Sequence, residues 1–296
     1  MNTIITIAPC ERRNKTNTTM KTKSYILGLA GVLLITLGLI LLSAPLLHAQ
    51  SNEFKIPLTD PNKKGKVKVH LNAGSITIKG TARKDVLVKY VDRDKETDDE
   101  HEKTKDGLRR VGGGGLDLEF SESNNTVKIE SGSWNNHIDL EIEVPTTVDL
   151  DVHTYNDGDV MISNIQGALE LDDYNGSITA TSISGSVIAT SYNGEIKVTF
   201  DKVTDGAPMS YSTFNGDIDV TFPPGIKNSV KVKTERGSIY SGFDVEFKSS
   251  GPVQKKDTQA GVYKVTVDEW RRGEINGGGA EVVMKTYNGD IFLRKK

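Results

Sequence analysis

After residue 50 the chain alternates between apolar and polar residues. Val67, Val69 and Leu71 are each separated by one polar residue, as are Ile76 and Ile78, Val86, Val88 and Tyr90, and Leu116, Leu118 and Phe120. Val127 with Ile129, and Ile138, Leu140, Ile142 and Val144, extend the pattern. An extended strand points successive side chains to opposite faces, so this period of two predicts half-buried strands. Glycine, asparagine and proline separate the sets, and helical periodicity is almost absent after Ala49. From Asp92 to Arg110 the chain reads DRDKETDDEHEKTKDGLRR and then passes into Gly112 to Gly115. This mixed-charge stretch reads as a solvated excursion rather than a cation or partner loop, and His101 within it has no metal-ligand spacing.

From Pro145 onward the alternation acquires a rhythm. Glycine returns every nine residues at Gly158, Gly167, Gly176, Gly185 and Gly194, and a pair of residues such as Val160 and Ile162, or Ile178 and Ala180, comes after each. Gly216, Gly237 and Gly289 open later copies at wider spacing, and Asn72-Ala73-Gly74-Ser75-Ile76-Thr77-Ile78 is an early one. A strand of about five residues and a turn of about four fill one unit, and a single unit cannot bury its own apolar face, so units must stack. They also alternate: Tyr174-Asn175-Gly176, Tyr192-Asn193-Gly194, Phe214-Asn215-Gly216 and Tyr287-Asn288-Gly289 contrast with Ile165-Gln166-Gly167 and Ile183-Ser184-Gly185. Two units therefore make one coil of eighteen residues.

The pattern predicts an all-β chain built as a parallel β-helix or β-solenoid, with Tyr174 and Tyr192 one rung apart, about 4.8 Å. An antiparallel meander with Asn-Gly hairpin turns is the alternative. The repeat glycines are structural turns where a β-carbon would obstruct the backbone, and Asn175, Asn193, Asn215 and Asn288 tolerate left-handed geometry. The chain divides into three regions: 1–49 as extension plus signal or anchor, 50–143 as a strand region with the charged loop at 92–115, and 144–296 as the solenoid, continuous with 50–143.

The N-terminus changes the picture of where the protein works. Tyr25 to Leu42 reads YILGLAGVLLITLGLILL, preceded by Lys21 and Lys23 and succeeded by Pro45 and a cleavage-like Leu47-His48-Ala49. Met20 starts that unit, and residues 1–19 read as an upstream extension. The segment suits a cleaved secretory signal, with an uncleaved anchor as the alternative; both predict export of the rest of the chain. Cys10 is the single cysteine and lies upstream of that unit, so the exported part has no disulfide or thiol chemistry. Without residues 1–49 there remain 32 basic and 39 acidic residues, a formal charge of −7. That balance disfavours nucleic acid and leaves the N-terminal segment as the only predicted membrane contact.

Val144-Pro145 leading to Val148, Leu150 and Val152, and then the recurring Asn-Gly-Asp/Glu/Ser-Ile units, resemble a bacterial family of exported β-strand-repeat proteins known as candidate adhesins. The resemblance covers roughly Phe54 to Leu293 and implies a β-helix-like fold and an envelope location, without implying a reaction.

No catalytic, cofactor-binding or metal-binding residue is identified. Calcium-binding nonapeptide repeats need an aspartate two residues after the glycine, where this chain has Val160, Leu169, Ile178, Val187 and Ile196. Asp159, Glu195, Asp217 and Asp290 are expected to face solvent as ordinary surface charge. Asp172-Asp173 is the most tempting carboxylate pair for a carbohydrate-active site, but neighbours in a strand face opposite ways and the minimal coils offer no wall for a cleft. His70, His137 and His153 show no Ser or Asp constellation, and Gly277 to Gly279 reads as a loop. Tyr174, Tyr192, Phe214 and Tyr287, with Asn175, Asn193, Asn215 and Asn288, are the candidate partner-binding positions. The competing and preferred reading has the aromatics fill the coil corner as Ile165 and Ile183 do. Trp134, and Trp270 with Arg271 and Arg272, are isolated candidates.

The sequence therefore points to a non-enzymatic, adhesin-like, scaffolding or partner-binding module whose partner is an envelope protein or surface glycan. The alternatives are an envelope-stress or signalling accessory that binds a membrane partner and, third, a carbohydrate-active enzyme.

Overall fold

The computed structural model describes residues 52–93, 116–134, 136–249 and 270–296, and two short strand pairs: Thr104–Lys105 with Leu108–Arg109, and Lys255–Asp257 with Lys264–Thr266. The apolar N-terminal segment, Cys10, His101 and Gly112 to Gly115 lie outside them. No helix among the described residues is long and apolar enough to cross a membrane.

The inward turn of the repeat's apolar pairs organises the rest. Val160 and Ile162, Ile178 and Ala180, Ile196 and Val198, and Ile218 and Val220 are at most 2% exposed. Val160 pairs in parallel with Ile178, Ile178 with Ile196, and Ile196 with Ile218, which stacks the units into one sheet. The alternate units form a second parallel sheet, in which Leu150 pairs with Leu169 and Leu169 with Val187. Both sheets send their apolar rows into one core. The result is an all-β, solenoid-like stack whose central rungs repeat every eighteen residues.

Rung order departs from chain order at both ends. Lys66–Ala73 and Ile76–Thr81 slot between Thr126–Ser131 with Ile138–Pro145 on one side and Asp149–Asn156 with Val160–Ser163 on the other. The early Gly74 copy is thus the rung directly below Gly158. At the far end Ala280–Asn288 and Ile291–Lys295, last in sequence, insert between the rung of Met209–Ser212 and Ile218–Phe222 and the rung of Asn228–Arg236 and Ile239–Ser241. Regions 50–143 and 144–296 consequently share a core. Within the large sheet the described antiparallel pairing is confined to the margins, where Asp85–Asp92, Glu53–Pro57, Leu118–Ser123, Arg271–Ile275 and Lys248–Ser249 flank the stack. The meander alternative fails because the Asn-Gly corners join strands of different sheets.

The repeat glycines are needed for clearance more than for a left-handed backbone. A β-carbon on Gly158 would strike the Gly74 carbonyl, one on Gly176 the Gly158 carbonyl, one on Gly194 the Gly176 carbonyl, and Gly216, Gly289 and Gly237 continue the series. Gly167 and Gly185 meet the Val148 and Gly167 carbonyls in the same way at the other corner. The expected left-handed geometry at Asn175, Asn193, Asn215 and Asn288 is absent; it occurs instead at Asn164 (φ 58°) and Ser182 (φ 54°).

Candidate functional site

At the Asn-Gly corner the residue before each aromatic turns inward, and the aromatic therefore turns outward. Thr154, Asp173, Ser191, Thr213 and Thr286 are buried, while Tyr155, Tyr174, Tyr192 and Phe214 are each about two-fifths exposed. The rings stack face to face into one column, Tyr155–Tyr174–Tyr192–Phe214–Tyr287, at 4.6, 4.9, 5.0 and 4.8 Å between centroids and no more than 6° between planes. Trp134 meets Tyr155 edge-on at 5.3 Å, and the Arg236 guanidinium lies 5.5 Å from the Tyr287 centroid. The corner-filling reading of these aromatics is overturned. Ile165 and Ile183 occupy the same place before their glycines and are fully buried, because left-handed Asn164 and Ser182 bend the chain just before them and reverse the side-chain direction.

The asparagines beside the column form a ladder of their own. Asn175 donates its amide to Asn156 (2.9 Å), Asn193 to Asn175 (2.8 Å), Asn215 to Asn193 (2.7 Å) and Asn288 to Asn215 (2.7 Å). In-register side-chain amides use one donor and one acceptor per rung, the pairing seen in stacked β assemblies. Asn193→Ala removes a donor and an acceptor at once, and is expected to cost about 1–2 kcal/mol in urea unfolding, with the column intact in near-UV dichroism.

Asp159, Asp217 and Asp290 are more than surface charge, whereas Glu195 is exposed. Asp159 accepts the Ser177 N–H (2.8 Å), Asp217 that of Asp290 (2.7 Å) and Asp290 that of Ser238 (2.7 Å). Each carboxylate thus caps a backbone donor of the next rung.

A groove of about 510 Å³ runs beside the column. Trp134 and Tyr155 to Tyr192 form one wall, His70, His153, Asp172 and Thr190 the other, and Asp173 lies at its base. The coils are minimal, as the sequence indicates, but the turn carrying Trp134 supplies the wall that the sequence left unseen. Asn72 aligns with Tyr155 through the pairing of Leu71 with Thr154, so the column stops there and Trp134 reaches its last ring.

The histidines acquire partners that sequence reading missed. His153 places Nε2 2.8 Å from Asp151 Oδ1 and Nδ1 3.0 Å from Asp172 Oδ2. His137 lies 3.1 Å from Asp157. Burial alone would raise the Asp151 carboxyl, but Lys66 and Lys68, each 2.8 Å from Oδ2, and His153 hold it well below the usual carboxylate range. The signal available in the sequence was the spacing of Asp151 and His153, two apart on one strand and hence on one face.

Asp172 and Asp173 do face opposite ways. Asp172 is open to solvent, whereas Asp173 is 2% exposed and neither of its carboxyl oxygens has a hydrogen-bond partner. Burial, and then repulsion from Asp159, push its pKa up to about 7. Trp270 lies elsewhere, beneath Lys231 at 4.4 Å, and Gly277 and Gly278 take positive φ in the turn after Ile275.

Residues 146–276 match the family described as Toastrack DUF4097. No curated protein matches the sequence. Among solved structures the chain is similar to a candidate cell adhesion protein from Clostridium sporogenes ATCC 15579, at 14% identity and a TM-score of 0.47, over 83% of this chain and 100% of that one. It is also similar to a candidate adhesin from Bacteroides fragilis NCTC 9343, at 12% identity and a TM-score of 0.33, over 82% of this chain and 96% of that one.

Proposed function

We propose that the protein is a non-enzymatic, exported β-solenoid that holds an envelope partner, in adhesin-like fashion, against the aromatic column and its groove. The observation that carries this reading is the column itself: five stacked rings held outward on a rigid ladder instead of being buried. Exposed aromatics in a row beside a groove are the residue types enriched at protein interfaces. Their stacking leaves ring edges and tyrosine hydroxyls outward, since each internal face is covered by a neighbour. Sugar recognition would draw on open faces, so a protein partner suits the column better than a glycan. Catalysis is disfavoured because the Asp173 oxygens have no solvent access while the Asp172 carboxylate is tied to His153.

Photocrosslinking in intact cells tests this reading. A photoreactive residue at Tyr192 should capture a discrete protein partner, and one at Met161, exposed on the other sheet, should not. Equal capture at both positions, or none at Tyr192, rejects the column as the binding face. Capture of glycan alone overturns the protein partner. Polysaccharide processing by the purified protein, abolished in Asp172→Asn, overturns the non-enzymatic assignment.

A further inference from the structure

The hydroxyls buried beneath the aromatic column repeat a single contact. Thr154 donates to the Gly74 carbonyl (3.3 Å), Ser191 to that of Gly176 (3.2 Å), Thr213 to that of Gly194 (3.0 Å), Thr286 to that of Gly216 (2.9 Å) and Thr234 to that of Gly289 (2.9 Å). Each rung thus ties its corner to the glycine of the rung beside it. One rung breaks the chemistry. Asp173 pairs in register with Thr154 on one side and Ser191 on the other, so it holds the hydroxyl position, and its matching acceptor is the Gly158 carbonyl. A β-carbon on Gly176 would meet both the Gly158 carbonyl oxygen (2.0 Å) and Asp173 Oδ2 (2.5 Å), so the two oxygens crowd the same point beside one glycine. Two acceptors side by side repel unless one carries a proton.

We propose that Asp173 is a proton-operated latch of the groove: as the neutral acid it donates to the Gly158 carbonyl in place of the missing hydroxyl, and as the carboxylate it releases that corner. This names a regulation of the binding site and rests on the groove being that site. The charges around the latch all work in one direction or are already engaged. Asp159, in the turn of the neighbouring rung, faces it with like charge. Asp172, its chain neighbour, points the other way to His153, which also holds Asp151 on the adjacent strand together with Lys66 and Lys68. The strand on the other side brings Thr190 and Ser191, and the turn beyond it carries Glu195. Among the described residues no cation pairs with Asp173, so a proton is the available counter-charge.

The linkage has a definite sign. The folded carboxyl titrates near 7 and the unfolded one near about 4. The fold therefore binds the extra proton between those values, and stability falls as pH rises from about 4 to about 7, the full loss being present above that window. Below it the latch has no pH dependence. A loosened corner displaces Tyr174, the second ring of the column, so the binding face is most ordered in mild acid.

Urea unfolding of the full-length protein at pH 4.5 to 8.5, without partner, reads the latch separately from any binding. Between pH 5 and 8 the unfolding equilibrium of the wild type is expected to rise on the order of 10- to 100-fold more than that of Asp173→Asn, whose amide donates at every pH, or of Asp173→Thr, which restores the ladder. Superimposable pH profiles for wild type and variants overturn the proposal. A direct check uses the wild type alone: the ¹³C carboxyl resonance of Asp173 should titrate near 7, and a midpoint near 4 also overturns it. Because neither measurement involves a partner, loss of crosslinking at Tyr192 would sink the binding site and leave the latch standing, and the reverse also holds.

Discussion

Gly194→Ala is expected to destabilise the protein by about 3 kcal/mol or more, a large effect for a single methyl. Gly194 sits mid-ladder, and an added β-carbon would collide with the Gly176 carbonyl and crowd the Ser177 amide, all backbone atoms. Flexible side chains could swing aside. Here a whole rung would have to slide, and the strands on both sides are in register with the one that follows Gly194. Gly225→Ala is the control: nothing lies within 4 Å of its β-carbon position, and the change should stay within about 0.5 kcal/mol. Equal urea midpoints for the two variants would show that the ladder tolerates spreading and that clearance is not why glycine stands at the corner.

The second large effect separates two aromatic columns that look alike on paper. Phe200 and Phe222 stack at 5.3 Å with 4° between planes, and Tyr192 and Phe214 at 5.0 Å with 3°. The first pair is fully buried, while Phe214 is 38% exposed. Phe200→Ala should therefore cost about 3–5 kcal/mol through lost burial and a cavity that a rigid stack cannot close. Phe214→Ala should cost about 1 kcal/mol, mostly its ring contacts. The pair of unfolding curves decides the matter. Comparable losses would mean that the outer column is structural, and would remove its availability to a partner.

Much of this architecture was legible in one dimension. The nine-residue return of glycine identifies the units, the residues after each glycine identify the inward face, and the alternation of Tyr-Asn-Gly with Ile-Gln-Gly gives the eighteen-residue rung that places Val160 over Ile178 and Ile196. The spacing expected for Tyr174 and Tyr192 agrees with the 4.9 Å between their rings. These features are local: they depend on strand periodicity and on what fits at one corner, and both recur in sequence at the period at which they recur in space.

Other features depend on which rung lies beside which. Tyr174 and Ile183 stand alike before their glycines, yet one is outside and the other inside, since the preceding backbone angle differs. His153 finds Asp172 across a strand pair nineteen residues away. Asp173 is a hydroxyl's substitute only because the rungs on either side supply Thr154 and Ser191. By itself the sequence determined the strands, their buried faces and the repeat that stacks them. Only the tertiary structure decided that the Gly74 rung enters beneath Gly158, that the last rung enters before the Gly237 rung, and that Trp134 closes a groove over a buried acid. The physical reason is that strand faces are set by neighbours in the chain, while rung order and the charge met by a buried side chain are set by partners that the chain brings together only on folding.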